Sequence, residues 1–297
     1  TVGRTRPGDA TEIAATLIKE ALAALADDPQ AKPDTTRVAL LGHSAGSAIA
    51  LNLAAESQSR GLPAPKLVFA TMPGGIAKDA KSRGVQLSDL SRIDPGTLIA
   101  TVVGDRDVQA ADRAARRILR ETTSVPASRK LFIRSASDDH GFPALTATLA
   151  SPASPKEGYD SALIKLAPAP PPERGAARPK WSADMVLTGE QQVLLGQLQR
   201  NGTDTLDYLA YWRTFDMLTG AALAGGDLAT LRTDTAFVDM GRWSDSWPVR
   251  RLAAETPKEA APTAHGTTPA ATPVAAAPTI QSKQPVTRRR ATTQRGR

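Results

Sequence analysis

The stretch Val38-Ala39-Leu40-Leu41-Gly42-His43-Ser44-Ala45-Gly46-Ser47-Ala48-Ile49-Ala50-Leu51 decides the reading of this chain. A short apolar run enters a G-x-S-x-G pentapeptide, and a helical pattern leaves it. A serine at such a strand-to-helix turn is lifted above the sheet on a strained backbone. Gly42 and Gly46 are expected where strand and helix come too close for side chains. The helix then presents its N-terminus, with the backbone N–H of Ala45, to negative charge developing beside Ser44.

A serine hydroxyl needs a base, and the base needs an orienting carboxylate. The chain has three histidines. His43 belongs to the turn itself and starts from the wrong side of Ser44. His265 lies in a stretch of Ala, Pro and Thr. His140 remains, after the strand-like run Lys130-Leu131-Phe132-Ile133-Arg134 and the loop Ser135 to Asp139. The carboxylate is expected between Ser44 and His140 in chain order. The β-branched run Thr97 to Val103 ends in Gly104-Asp105-Arg106-Asp107, which offers two acids at a strand end. Asp107 is the first choice, because the glycine turn lets it point back over the sheet. Asp105 is the reserve, expected to pair with Arg106 or with solvent. Asp138 and Asp139 are too close to His140 in sequence to reach its far ring nitrogen.

With these three placements, residues Thr36 to Gly141 resemble the α/β-hydrolase superfamily. The turn Gly42–Gly46, the strand ending Gly104–Asp107 and the loop around His140 match that family's last four strands in order and spacing. The resemblance implies a serine esterase with Ser44 as nucleophile, His140 as general base and acid, and Asp107 as orienting acid. It also implies that Ala45 N–H forms half of an oxyanion hole. The segments Tyr208 to Asp216 and Met240 to Ser244 are similar to the C-terminal portion of some bacterial members. The expected fold is α/β, a mostly parallel sheet with flanking helices. Strands are expected near 36–41, 66–71, 97–103 and 129–134, followed by a mostly helical segment.

The family carries further strands upstream, and a loop there gives the second oxyanion-hole donor. The expectation is therefore that this sequence is the C-terminal portion of a longer protein, with its first strand left as a bare edge. A rival reading follows, in which the chain is a scaffold or binding module on a hydrolase framework. Before the first strand, Pro7 to Asp27 reads as one amphipathic helix. Asp9 and Glu12 form its capping pair, and Ile13, Leu17, Ala21 and Leu25 its apolar face.

The 297 residues fit one large domain, expected at 1–254 with an irregular Pro-rich insertion about 151–200. The span 255–297 reads as a disordered tail rich in Ala, Pro and Thr. The net charge is +7. Seven Lys/Arg and two Glu from Glu255 onward make +5 of it, leaving +2 for the rest. That tail could contact an anionic partner, but without aromatics or a recognisable module it gives no case for sequence-specific nucleic-acid binding.

Tyr208, Tyr211, Trp212 and Phe215 form a helical stripe expected to face the core, capped by Thr203 or Asp204. Val108 to Thr122 reads as a connecting helix whose Arg113, Arg116, Arg117 and Arg120 form a solvated face. The gap between the second and third strands is too short for a helical cap, so an open site is expected with Met72-Pro73-Gly74-Gly75 at its rim.

Zero cysteines exclude disulfides and thiolate chemistry and fit an exported or a cytosolic chain equally. No metal-ligand cluster or cofactor fingerprint occurs, so neither a metal nor a cofactor is expected. No apolar run reaches 18 residues, so no transmembrane helix is expected either. The partner implied is a small-molecule ester.

Overall fold

A computed structural model describes residues 7–79, 81–106, 111–152, 203–226 and 228–257. Four parallel strands form its centre: β1 (Ala39–His43), β2 (Leu67–Thr71), β3 (Leu98–Gly104) and β4 (Lys130–Ser135). They lie in the order β1-β2-β3-β4, and β5 (Ala253–Glu255) adds antiparallel to β4. The sheet is thus mostly parallel, as expected. Each strand start falls one to three residues after the expected one. β1 runs through Gly42 and His43, which continue the ladder opposite Ala70 and Thr71. β5 was not expected, and it straddles the expected boundary at 254.

β2 and β3 are buried at every position, which explains their unbroken apolar runs. Their side chains alternate between two cores. Leu67, Phe69, Leu98, Ala100 and Val102 face one core. Val68, Ile99 and Val103 face the other, with α2 (Ala45–Ala55) and α4 (Ala111–Glu121). The short helix α3 (Ser57–Arg60) follows α2. β1 stands at the edge of the described sheet, and its Leu41 is 55% exposed.

The first core is closed by the C-terminal segment. A π-helical stretch (Asp207–Trp212) runs into α5 (Arg213–Ala224), followed by the short α6 (Leu228–Leu231) and α7 (Thr235–Val238). Asp204 caps this run, accepting from Leu206 N at 2.7 Å, while Asp207 accepts from Asp204 N at 2.7 Å. The expected four-aromatic core stripe is only half realised. Tyr211 is buried and Phe215 packs on the core, but Tyr208 and Trp212 are 60% and 63% exposed. A π turn closes i→i+5 bonds, so the 3.6-residue phase that aligned the four rings does not hold across it.

α1 (Ala10–Ala24) is shorter than expected, and its cap and face differ. Asp9 makes no side-chain capping bond, and Glu12 pairs with Arg60 instead. Ile13 and Leu17 are exposed, while Thr11 and Ala15 are buried. The cause is a polar tie: Asn52 of α2 donates to Thr11 Oγ1 at 3.1 Å, so small residues face the contact. The insertion and most of the tail lie outside the described residues. Among the described residues, no helix is long and apolar enough to cross a membrane.

Candidate active site

Ser44 follows the last residue of β1 with φ 54° and ψ −122°, a region that L residues avoid. Such a backbone costs about 1–3 kcal/mol and persists only where its surroundings over-determine it. Here the neighbouring strand does so. Ser44 N donates to Thr71 O at 3.0 Å, and Ser47 N donates to Ser44 O at 3.0 Å. Ser47 Oγ and Thr71 Oγ1 both donate to Gly42 O, at 3.0 and 3.2 Å.

The two glycines of the pentapeptide differ. A Cβ on Gly42 would lie 2.3 Å from Gly46 O and 2.6 Å from Ser47 Cα, so only glycine fits. A Cβ on Gly46 would meet nothing within 4 Å. The expectation that both are sterically required is corrected for Gly46, whose own Cβ position is open. Ala45 opens α2, so its N–H is among those with no intrahelical acceptor.

The turn after β2, expected at the rim of an open site, abuts Ser44. A Cβ on Gly74 would sit 3.4 Å from Ser44 Oγ, and one on Gly75 would sit 2.9 Å from Ala45 Cβ. Met72, first after β2, also has positive φ (44°). Its N–H donates to Val102 O at 2.7 Å, and Gly104 N donates to its Sδ at 3.0 Å. Sequence reasoning missed this second strained turn, although the Pro-Gly-Gly that follows marks a tight reversal.

The remaining expected residues are distributed as follows. His43 Nε2 lies 2.7 Å from Leu149 O. Asp107 lies outside the described residues. Asp105 Oδ1 accepts from Ser137 Oγ at 2.5 Å, so its partner is Ser137, not the expected Arg106. Asp138 is buried and shapes the histidine loop, its two oxygens accepting from His140 N (3.0 Å) and Arg250 N (2.9 Å). Burial pushes its pKa up, but these backbone donors, together with Trp243 and the charge of Arg250, hold the carboxyl below its usual range.

Among the described residues, no hydrogen bond joins His140 to Ser44. The imidazole Nε2 lies 2.7 Å from Asp245 Oδ2. The ring stacks on Trp247 (5.4 Å between centroids, 15° between planes) and tilts against Trp243 at 6.2 Å. Asp245 Oδ1 accepts from Trp247 N at 3.0 Å. The bond from His140 first, then that from Trp247, keeps the Asp245 carboxyl below its usual range. Gly141 is required here, because a Cβ would strike the Trp243 ring at 2.2 Å. Sequence reasoning missed this clasp. Its one signal was the run Trp243-Ser244-Asp245-Ser246-Trp247, about a hundred residues beyond His140.

No three His, Cys, Asp or Glu side chains among the described residues form a group that could hold a metal. A strained serine at a strand end, under a helix N-terminus, has the geometry of a G-x-S-x-G strand-to-helix turn. A family model described as an alpha/beta hydrolase fold matches residues 7–139, somewhat under half of the chain. Over those residues the chain is similar to the alpha/beta-hydrolase fold, and its mostly parallel sheet is consistent with that fold. No curated protein matches it.

Proposed function

We propose that the chain is a serine hydrolase acting on a carboxylic ester through an acyl-serine intermediate. The observation that carries this reading is the backbone of Ser44, held at positive φ between β1 and α2. Ser44 Oγ attacks the ester carbonyl while His140 takes its proton. The tetrahedral oxyanion accepts from Ala45 N–H. His140 returns the proton to the leaving alcohol, then activates water to release the acid. Asp107 orients the imidazole. In the resting geometry His140 Nε2 faces Asp245, so the imidazole must exchange that carboxylate for Ser44 during the cycle.

The test is intact-mass analysis after treatment with a fluorophosphonate probe, with Ser44→Ala and His140→Ala as controls. One adduct at Ser44 that requires His140 is the expected result. A folded chain that takes no adduct, or is labelled equally without Ser44, refutes the proposal and favours the scaffold reading.

A further inference from the structure

The end of the sheet opposite Ser44 carries a concave site. Ser44 lies past the carboxyl end of β1, whereas an open cavity of about 660 Å³ lies at the amino ends of the strands. The two are separated by the length of a five-residue strand, about 17 Å. Arg37 precedes β1, Lys66 precedes β2, and Arg129 ends the three-ten turn (Ala127–Arg129) before β4. The last turn of α5, through Gly225, forms the facing wall.

The backbone that carries the cations is fixed. Lys66 N donates to Val38 O at 2.7 Å, and Leu98 N donates to Lys66 O at 2.9 Å. Arg129 N donates to Pro126 O at 2.9 Å, and Arg37 N to Asp34 O at 3.1 Å. Among the described residues, none of the three cations forms an ion pair. The acids on the adjoining loops are held by their own turns and stay charged, Asp34 within electrostatic reach of Arg37. Asp34 accepts from Thr36 N and Oγ1, and Asp94 accepts from Gly96 N. Arg129 Nε is buried without a partner among the described residues, a costly state for a charged donor.

The helix end alone does not account for three cations. A helix C-terminus carries roughly half a negative charge, which one cation offsets. The three cations also present several N–H donors, which match the acceptor oxygens of a phosphoryl group. The cavity is larger than phosphate alone needs and falls in the usual range of small-molecule sites. Its other wall offers the last carbonyls of α5, which have no intrahelical donor. We propose that this cavity binds a small organic phosphate, its phosphoryl group on Arg37, Lys66 and Arg129 and its hydroxyls on the α5 carbonyls.

The test is titration calorimetry of the full chain with glycerol 3-phosphate, and separately with inorganic phosphate, at fixed physiological salt. Saturable binding of the organic phosphate, tighter than that of inorganic phosphate, is expected. Lys66→Gln should weaken it by roughly tenfold or more, as expected for one charge-assisted hydrogen bond, with the melting temperature unchanged. The combined Arg37→Gln, Lys66→Gln and Arg129→Gln variant should abolish it. Arg113→Gln with Arg120→Gln, on the exposed face of α4, should leave it intact. Absence of saturable binding, or binding that survives the triple variant, overturns the proposal. Equal affinity for inorganic phosphate overturns the assignment of an organic ligand.

Discussion

Replacing Gly42 by alanine probes the turn at its tightest point. The new Cβ would lie 2.3 Å from Gly46 O, 2.5 Å from Gly46 C and 2.6 Å from Ser47 Cα. All three are backbone atoms, so no side chain can swing aside. Ordinary contact begins near 3.4 Å, and the N-terminus of α2 would have to retreat by roughly 1 Å. Overpacking of this kind costs about 1–3 kcal/mol, and three backbone contacts put Gly42→Ala at the upper end. The same displacement carries Ala45 N–H away from Ser44, and a 1 Å misplacement at a reacting centre costs about 100-fold in rate. Gly46→Ala is the matched control. It meets nothing within 4 Å and lies in α2, where alanine is favoured by up to about 1 kcal/mol. Urea unfolding and the rate of fluorophosphonate labelling read both effects. Gly42→Ala should unfold at lower urea and label about 100-fold more slowly, and Gly46→Ala should do neither. Equal stability and labelling of the two variants would refute the steric reasoning.

The other predictions concern charge and the proposed triad. Ser44→Ala, His140→Ala and Asp107→Asn should each lower ester turnover by orders of magnitude at unchanged far-UV circular dichroism, measured with a chromogenic acetate ester. Asp245 has its carboxyl held low in the folded state, so its contribution to stability is intact above the usual carboxylate value of 3.8 and lost as pH falls below it. Tryptophan fluorescence of Trp243 and Trp247 should therefore change on acidification, and Asp245→Ala should show the acid spectrum at neutral pH; identical spectra would contradict the clasp. Asp207 is shifted the other way, to about 6, by burial first and then by the charge of Asp204, against the bond from Asp204 N. The folded state thus binds the extra proton, and stability should fall as pH rises from about 4 to about 6. The half-exposed site reduces the effect, by solvent screening, to about 1 kcal/mol. Asp207→Asn should flatten that slope in urea melts.

What was legible in the sequence is what short-range physics decides. The unbroken apolar runs of β2 and β3 announce strands covered on both faces, and the pentapeptide announces the turn at Ser44. Residues whose partners are distant in sequence stayed hidden. Ile13 and Leu17 made the stronger apolar stripe on α1, yet the Asn52–Thr11 bond turned a weaker face inward. Tyr208 and Trp212 shared helical spacing with Tyr211, but a π turn shifted the phase. The His140–Asp245 contact joins a strand-end loop to a segment beyond α7, and no local pattern encodes it.

The support for Ser44 is shared along the sheet rather than confined to the pentapeptide. Ser44 N is held by Thr71 O, at the end of β2. The next residue of that strand end, Met72, is itself at positive φ and is held by Val102 O of β3. Met72 is fully buried, and its sulfur accepts from Gly104 N at the end of β3. Two successive strand ends thus carry strained first residues, each tied to a carbonyl of the strand beyond. Relaxing Ser44 toward ordinary dihedrals would break its bond to Thr71 and disturb the turn that positions Gly74 and Gly75 beside it. The strain persists because the adjacent strands over-determine it, and the proposed nucleophile is thereby held in place before any substrate arrives.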